Sequence, residues 1–163
     1  MEASNVIAIS AAIIALASLY VAIQQNGLAR KHNKLSVRPF LAIYRKQFKG
    51  KPIEYSIENR GIGPAIVKAF QVLVDGKEVA ASNGNCIYAA MDALEIDRNI
   101  VGGHLFGPNE VLKAGQEVIV LRFPVSGDDE AVHKELLGKL PRMKFKIEYE
   151  SMYEEKYEQE GNG

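Results

Sequence analysis

The sequence predicts a mainly β domain carried behind one transmembrane helix, and three observations predict it. Residues Val6–Ile23 form an apolar run of 18 residues without a charge. Downstream, short segments alternate apolar and polar residues with period two, as half-buried strands do. Turn residues punctuate them, most sharply Asp75-Gly76, a pair that favours a tight hairpin. The expected architecture is an N-terminal transmembrane helix, then an antiparallel Ig-like β-sandwich with one short helix near its C-terminal end. The expected divisions are a short extracytoplasmic segment (1–5), the membrane helix (6–25), a basic juxtamembrane stem (26–38), the sandwich (39–153) and an acidic disordered tail (154–163).

The first element follows from length and solvent. Eighteen helical residues cover roughly 27 Å, close to the hydrocarbon thickness of a thin bilayer. The polar groups inside the run are two serines and Tyr20. Serine hydroxyls bond back to carbonyls one turn earlier, so they do not forbid insertion. Tyr20 lies toward the C-terminal end, where an aromatic ring with a polar tip suits the interface. A cleaved signal peptide is disfavoured, because Glu2 is the only charged side chain ahead of the run. A buried or surface-lying amphipathic helix would show a polar stripe, and none is present.

Orientation comes from the flanks. Arg30, Lys31, Lys34 and Arg38 follow the run, while no Lys or Arg precedes it. The positive-inside rule then places the inner (plasma) membrane around the helix, its N-terminus outside and residues 30–163 in the cytoplasm. Those four cations are expected to contact the anionic membrane surface. They carry no interleaved aromatics on which bases could stack, so no nucleic acid is expected. Within the helix, Ala8, Ala11, Ala15, Ser18 and Ala22 recur at steps of three and four. That face of small residues would let a second membrane helix approach closely, as a homo-oligomer or within a complex, although an alanine-rich span alone would look the same.

The strands are expected over Pro39–Tyr44, Ile53–Glu58, Ala65–Val74, Lys77–Ala80, Glu117–Phe123 and Met143–Glu150. In the last, Met143, Phe145, Ile147 and Tyr149 alternate with charged residues. Lys113-Ala114-Gly115-Gln116 reads as a hairpin turn. Asp128–Leu140, acidic at its start and stopped by Pro141, reads as a short amphipathic helix. Residues 83–107 are ambiguous. Ile87, Met91 and Leu94 have helical spacing, His104–Phe106 suits a strand, and an irregular insertion with one helical turn is expected.

Composition bounds the function. Twenty basic residues balance twenty acidic ones, and a single cysteine excludes an internal disulfide. Cys86, His32, His104 and His133 show no spacing of a nucleophile with its base, nor of a zinc site, so no catalytic residue, metal or cofactor is expected. In Asn59–Ala65, two glycines that can adopt positive φ and Pro64 read as a structural turn. A phosphate loop would need a helix next, and a β-type run follows. Asp128-Asp129-Glu130 is explained by the dipole of the helix it begins. The segment left open as functional is 83–107, where Tyr88, His104 and Phe106 would suit a loop that meets a partner.

The order of features also resembles a recurrent group of uncharacterised bacterial single-pass membrane-anchored proteins with a small cytoplasmic β-sandwich. The resemblance rests on the stem His32–Pro39, the turn Asn59–Ala65, Leu112–Glu117 ahead of a strand, and the end Tyr149–Tyr153. It implies no activity and no site residue. The function expected is that of a non-enzymatic membrane-tethered interaction or scaffold module, with the bilayer and a protein as its partners. The alternative is a subunit or regulator of a larger membrane complex that docks through the helix.

Overall fold

The computed structural model describes the chain apart from residues 1, 2, 49, 81–84, 99–101, 125–129 and 163, and apart from the side chains of 130–133. Two compact units result, Met1–Ser36 and Val37–Gly163. The first is a single helix, α1 (Ala3–Ser36), which buries none of its residues. By length and composition α1 is apolar enough to cross a membrane. The Ser10 hydroxyl donates to the Val6 carbonyl at 2.8 Å, so this polar group is satisfied within the helix.

The stem expected as a separate segment is instead the last part of α1. Leu28, Ala29, Arg30, Lys31 and Lys34 all favour helix, and nothing interrupts them before Ser36. The chain then leaves the helix ahead of Pro39, whose ring forces the preceding residue toward an extended backbone.

The second unit holds the β structure. One sheet is antiparallel with order β1-β2-β6, from β1 (Leu41–Lys46), β2 (Ile53–Asn59) and β6 (Glu117–Phe123). The other contains β4 (Lys77–Glu78), β3 (Ala65–Val74), β7 (Met143–Glu150) and β8 (Lys156–Gly161) in that order, with β5 (Val111–Leu112) also on β3. The β3–β4 turn is the hairpin that Asp75-Gly76 signals: both residues have positive φ, 53° and 76°. Helix α2 (Cys86–Ala93) is capped by the Asn85 side chain, which accepts from the Ile87 and Tyr88 amides. Helix α3 (Glu130–Lys139) runs into a 3-10 turn at Leu140–Arg142.

Buried residues of both sheets belong to one apolar cluster. It includes Leu41 and Ile57, Val120 and Leu121, Val67 and Val72, and Phe145 and Ile147, with Met91 and Leu94 of the α2 region. Tyr55 of β2 meets Phe145 of β7 at 5.1 Å between ring centroids. In β6, Tyr55 pairs with Leu121 and Ser56 with Ile119, which leaves Val120 as the extra residue of a bulge. The bulge is why Val120 and Leu121, adjacent in sequence, are both fully buried, where strict alternation would have put them on opposite faces.

Three expectations are corrected. Residues 154–163 are not a disordered tail, because Lys156–Gly161 pairs along β7 as β8. Its acids find cations across the strand pair: Lys144–Glu160 at 2.9 Å and Lys146–Glu158 at 3.4 Å. Tyr157 stacks on Tyr149 at 5.4 Å. Second, Lys113–Gln116 is not a hairpin turn. It does hold Gly115 at φ 73°, but it passes the chain from β5 in one sheet to β6 in the other. Third, Gly61 and Gly63 do not have positive φ. They are required by close approach, since a Cβ on Gly63 would overlap the Val37 carbonyl and one on Gly61 the Phe40 amide.

Asn59 explains why those segments meet. It is fully buried, and its Oδ1 accepts from the Gly61 amide at 3.0 Å and the Phe40 amide at 3.3 Å. Its Nδ2 donates to the carbonyls of Gly63 at 2.8 Å and Leu112 at 3.0 Å. Its backbone amide and carbonyl bond to Gln116 and Gly115. One side chain thus ties the start of β1, the β2–β3 turn and the β5–β6 connection together at the end where the chain enters the domain.

Candidate functional site

On α1, Ala8, Ala11, Ala15, Ser18 and Ala22 are all exposed. Two of them, Ser18 and Ala22, line a shallow groove along the helix with Ile14, Ala17, Val21 and Gln25. Arg30, Lys31 and Lys34 are exposed on the last turns of the same helix. Arg38 belongs to the domain, where its guanidinium stands 5.0 Å from the centroid of the Tyr157 ring while the residue stays exposed.

The segment around 83–107 is only partly what the sequence predicts. Residues 85–93 make a capped helix of two turns rather than a single turn within an irregular loop. His104–Phe106 forms no strand, yet the segment follows β6: Gly102 exchanges hydrogen bonds with Arg122, and the His104 amide donates to Ile119. A Cβ on Gly103 would run into the Val120 carbonyl, so glycine is what allows this approach to the bulge. The segment therefore covers part of an open sheet edge.

Tyr88, His104 and Phe106 do not converge as an exposed cluster. Phe106 is half-buried and packs edge-on against Phe70 at 5.3 Å. His104 is exposed, with Nε2 2.8 Å from Glu110 Oε1 and its ring edge-on to Phe106. Tyr88 is 39% exposed and faces the Arg98 guanidinium, which is itself paired with Asp92. With Leu105, Ile87, Asn85, Gly102 and Gly103, Tyr88 lines a shallow depression.

Cys86 is half-buried. Its thiol lies against the Phe70 carbonyl, and burial pushes its pKa up, away from the thiolate. His104, the histidine nearest to it in sequence, takes Glu110 as its partner. Among the described residues no three His, Cys, Asp or Glu side chains converge as a metal site. His133 lies in α3 and Asp128 and Asp129 lie outside the described residues.

The outer face of the three-stranded sheet carries a polar cluster that sequence reasoning did not single out. Register brings Tyr44 opposite Ser56 and Glu58 opposite Glu117. Lys46 donates to Glu117 at 2.6 Å. That ammonium holds the Glu117 carboxyl down at about 2. The Arg60 guanidinium, paired with Glu58, covers the Tyr44 ring at 5.2 Å. Period-two alternation shows which residues point outward; the pairing of β2 with the distant β6, which completes the cluster, is invisible in the sequence.

The cluster is structural in kind, and its pH signature follows from the sign of the shift. A folded-state pKa below the ordinary carboxylate value contributes stability that is complete above about pH 4.5 and is lost as pH falls toward 2. Glu117→Gln is expected to cost about 1 kcal/mol at pH 7, the scale of an ion pair open to solvent. In urea titrations that cost should shrink steadily below pH 4.5. An equal cost at pH 7 and near pH 2 would show that Glu117 acts through packing rather than charge.

Residues 3–162 match a family described as a domain of unknown function, DUF8453, so the match runs through both the apolar helix and the β domain. No curated protein matches the chain.

Proposed function

We propose that this chain, which belongs to the DUF8453 family, is a non-enzymatic membrane-tethered module that presents its β domain to a protein partner. In this reading α1 crosses the inner membrane with its N-terminus outside, and the domain, an Ig-like sandwich in architecture, lies in the cytoplasm. The observation that carries it is a division of labour. Helix α1 offers 34 residues and buries none of them, while the buried apolar cluster of the described residues runs from Leu41 to Tyr149. A helix that apolar has no reason to stay in water.

Arg30, Lys31, Lys34 and Arg38 then meet anionic headgroups, at about 1 kcal/mol for each cation near the surface. Tethering supplies the function, because it confines a weak partner to the membrane surface and raises its effective concentration. Tyr88 and the depression beside it are the part of the 83–107 segment that stays available to such a partner. Topology is the direct test. A C-terminal tag should react with a membrane-impermeant reagent only after cells are opened, and labelling in intact cells would reverse the orientation.

The groove on α1 favours a second reading, in which Ser18 and Ala22 dock against another membrane helix, of this chain or of a larger complex. Exchanging α1 for an unrelated membrane helix separates the two. A tether keeps its partners after the exchange, and a docking subunit loses them.

A further inference from the structure

Charge is unevenly spread along the β domain. From Val37 to Ile53 the chain carries Arg38, Arg45, Lys46, Lys49 and Lys51 and no acid, whereas residues 54–163 hold 19 acids and 12 cations. Four of those first five cations fall between 45 and 51, where β1 turns into β2. Lys46 and Glu54 form the last pair of that hairpin, so the connection stands at the end of the sheet. The Lys51 amide donates to the Phe48 carbonyl at 3.1 Å and closes the turn, with Gly50 in the left-handed region at φ 73°. Lys49 lies outside the described residues.

The tip carries an apolar group as well as charge. Phe48 is 61% exposed, and the Lys51 ammonium stands 5.6 Å from the centroid of its ring. Both line a shallow notch with Lys46, Pro52 and Glu54. The other two charges there are matched inside the domain, Lys46 by Glu117 at 2.6 Å and Glu54 by Arg122 at 2.7 Å. Among the described residues Lys51 pairs with no carboxylate, and the ring is its neighbour. One exposed phenylalanine needs no explanation. A ring beside unmatched positive charge, on a domain that is otherwise acidic, does.

We propose that the β1–β2 tip docks an acidic segment of a partner protein, with a carboxylate of that segment on Lys51 and an apolar side chain on Phe48. The proposal rests on the protein-partner reading above and names the chemistry of that partner. Opposite charge steers the encounter, and the ring adds contact area that salt does not screen. The rest of the domain selects a short segment over an extended polyanion. A broad phosphate surface, bilayer or nucleic acid, would bring further negative charge against the acids of residues 54–163, and like charges brought together cost affinity. A short acidic segment meets the tip alone.

Photo-crosslinking in cells tests this on the full-length chain in its membrane. The photoreactive p-benzoylphenylalanine replaces Phe48 in one chain and Tyr88 in another. The adduct at 48 should be a protein, and mass spectrometry should map the linked residue to a stretch of net negative charge. Lys51→Glu should cut the yield at 48 about tenfold, because it sets like charge against that stretch. Lys113→Glu makes the same charge change at an exposed lysine next to Leu112, whose carbonyl bonds Asn59 at the other end of β2. It should leave the yield at 48 within about twofold, since charges a Debye length or more apart are screened. A lipid or nucleic-acid adduct at 48, a linked stretch without net acidity, or a yield that Lys51→Glu lowers no more than Lys113→Glu does overturns the proposal. If 88 links a protein and 48 does not, the dock is elsewhere and the protein-partner reading stands. If neither links one, that reading falls and the dock falls with it.

Discussion

Asn59→Ala is expected to destabilise the domain by about 3 kcal/mol or more, because it orphans buried polar groups rather than simply removing contacts. The alanine abandons the amides of Phe40 and Gly61 and the carbonyls of Gly63 and Leu112. The site is fully buried, so water does not replace the lost partners without opening the structure. For a domain of this size, the loss corresponds to a fall in Tm of roughly 10 °C or more. Thermal unfolding followed by circular dichroism in detergent measures it. Asn59→Asp makes the reason visible: its carboxylate still accepts from both amides but faces two carbonyls with no donor. Burial against those carbonyls raises the folded-state pKa of the new acid, so this variant should recover part of its deficit at acidic pH, where the protonated form donates once. A deficit below 1 kcal/mol for Asn59→Ala would mean that the three segments meet for some other reason.

The second large effect concerns α1. Ile13→Arg with Leu16→Arg places two guanidinium groups near the middle of the apolar run. Each arginine there costs about 2.5–3.5 kcal/mol, and the lost Ile and Leu had favoured insertion, so together the changes oppose it by about 6–7 kcal/mol. The double variant is expected to leave the membrane fraction, either as soluble protein or through degradation. The domain itself should keep its fold, since no α1 residue lies in the core. Protease resistance of residues 37–163 in the variant tests that independence. A domain that unfolds with the helix would show that α1 does more than anchor.

How much of this was legible in the sequence varies with how local the cause is. The strand Met143–Glu150 could be read off because one face is wet and the other dry, and the structure alternates buried and accessible residues along it. Asp75-Gly76 was legible because a two-residue turn has few chemical solutions. By contrast β8 was hidden. Glu158, Gln159 and Glu160 have low strand propensity and read as a solvated tail, and it is pairing along β7, with its lysines and Tyr149 across the strands, that makes them a strand. The turn after Asn59 is legible in its two glycines and Pro64, but the task of those glycines is not. Their need for a missing Cβ comes from Val37 and Phe40, some 20 residues earlier, and not from local φ. Likewise the bulge at Val120 and the crossing at Lys113–Gln116 depend on which strands pair, and no local pattern encodes that choice. Of the surfaces read from sequence, Tyr88 stayed open while Phe106 turned inward onto Phe70.

The membrane helix is the premise that most else requires, and extraction tests it most directly. Membranes from cells that express the full-length chain would be washed with alkaline carbonate, which strips peripheral proteins and leaves integral ones. The chain is expected in the pellet, released only by detergent, as α1 with its uncharged stretch from Val6 to Ile23 requires. Recovery of the intact chain in the carbonate supernatant would contradict the account.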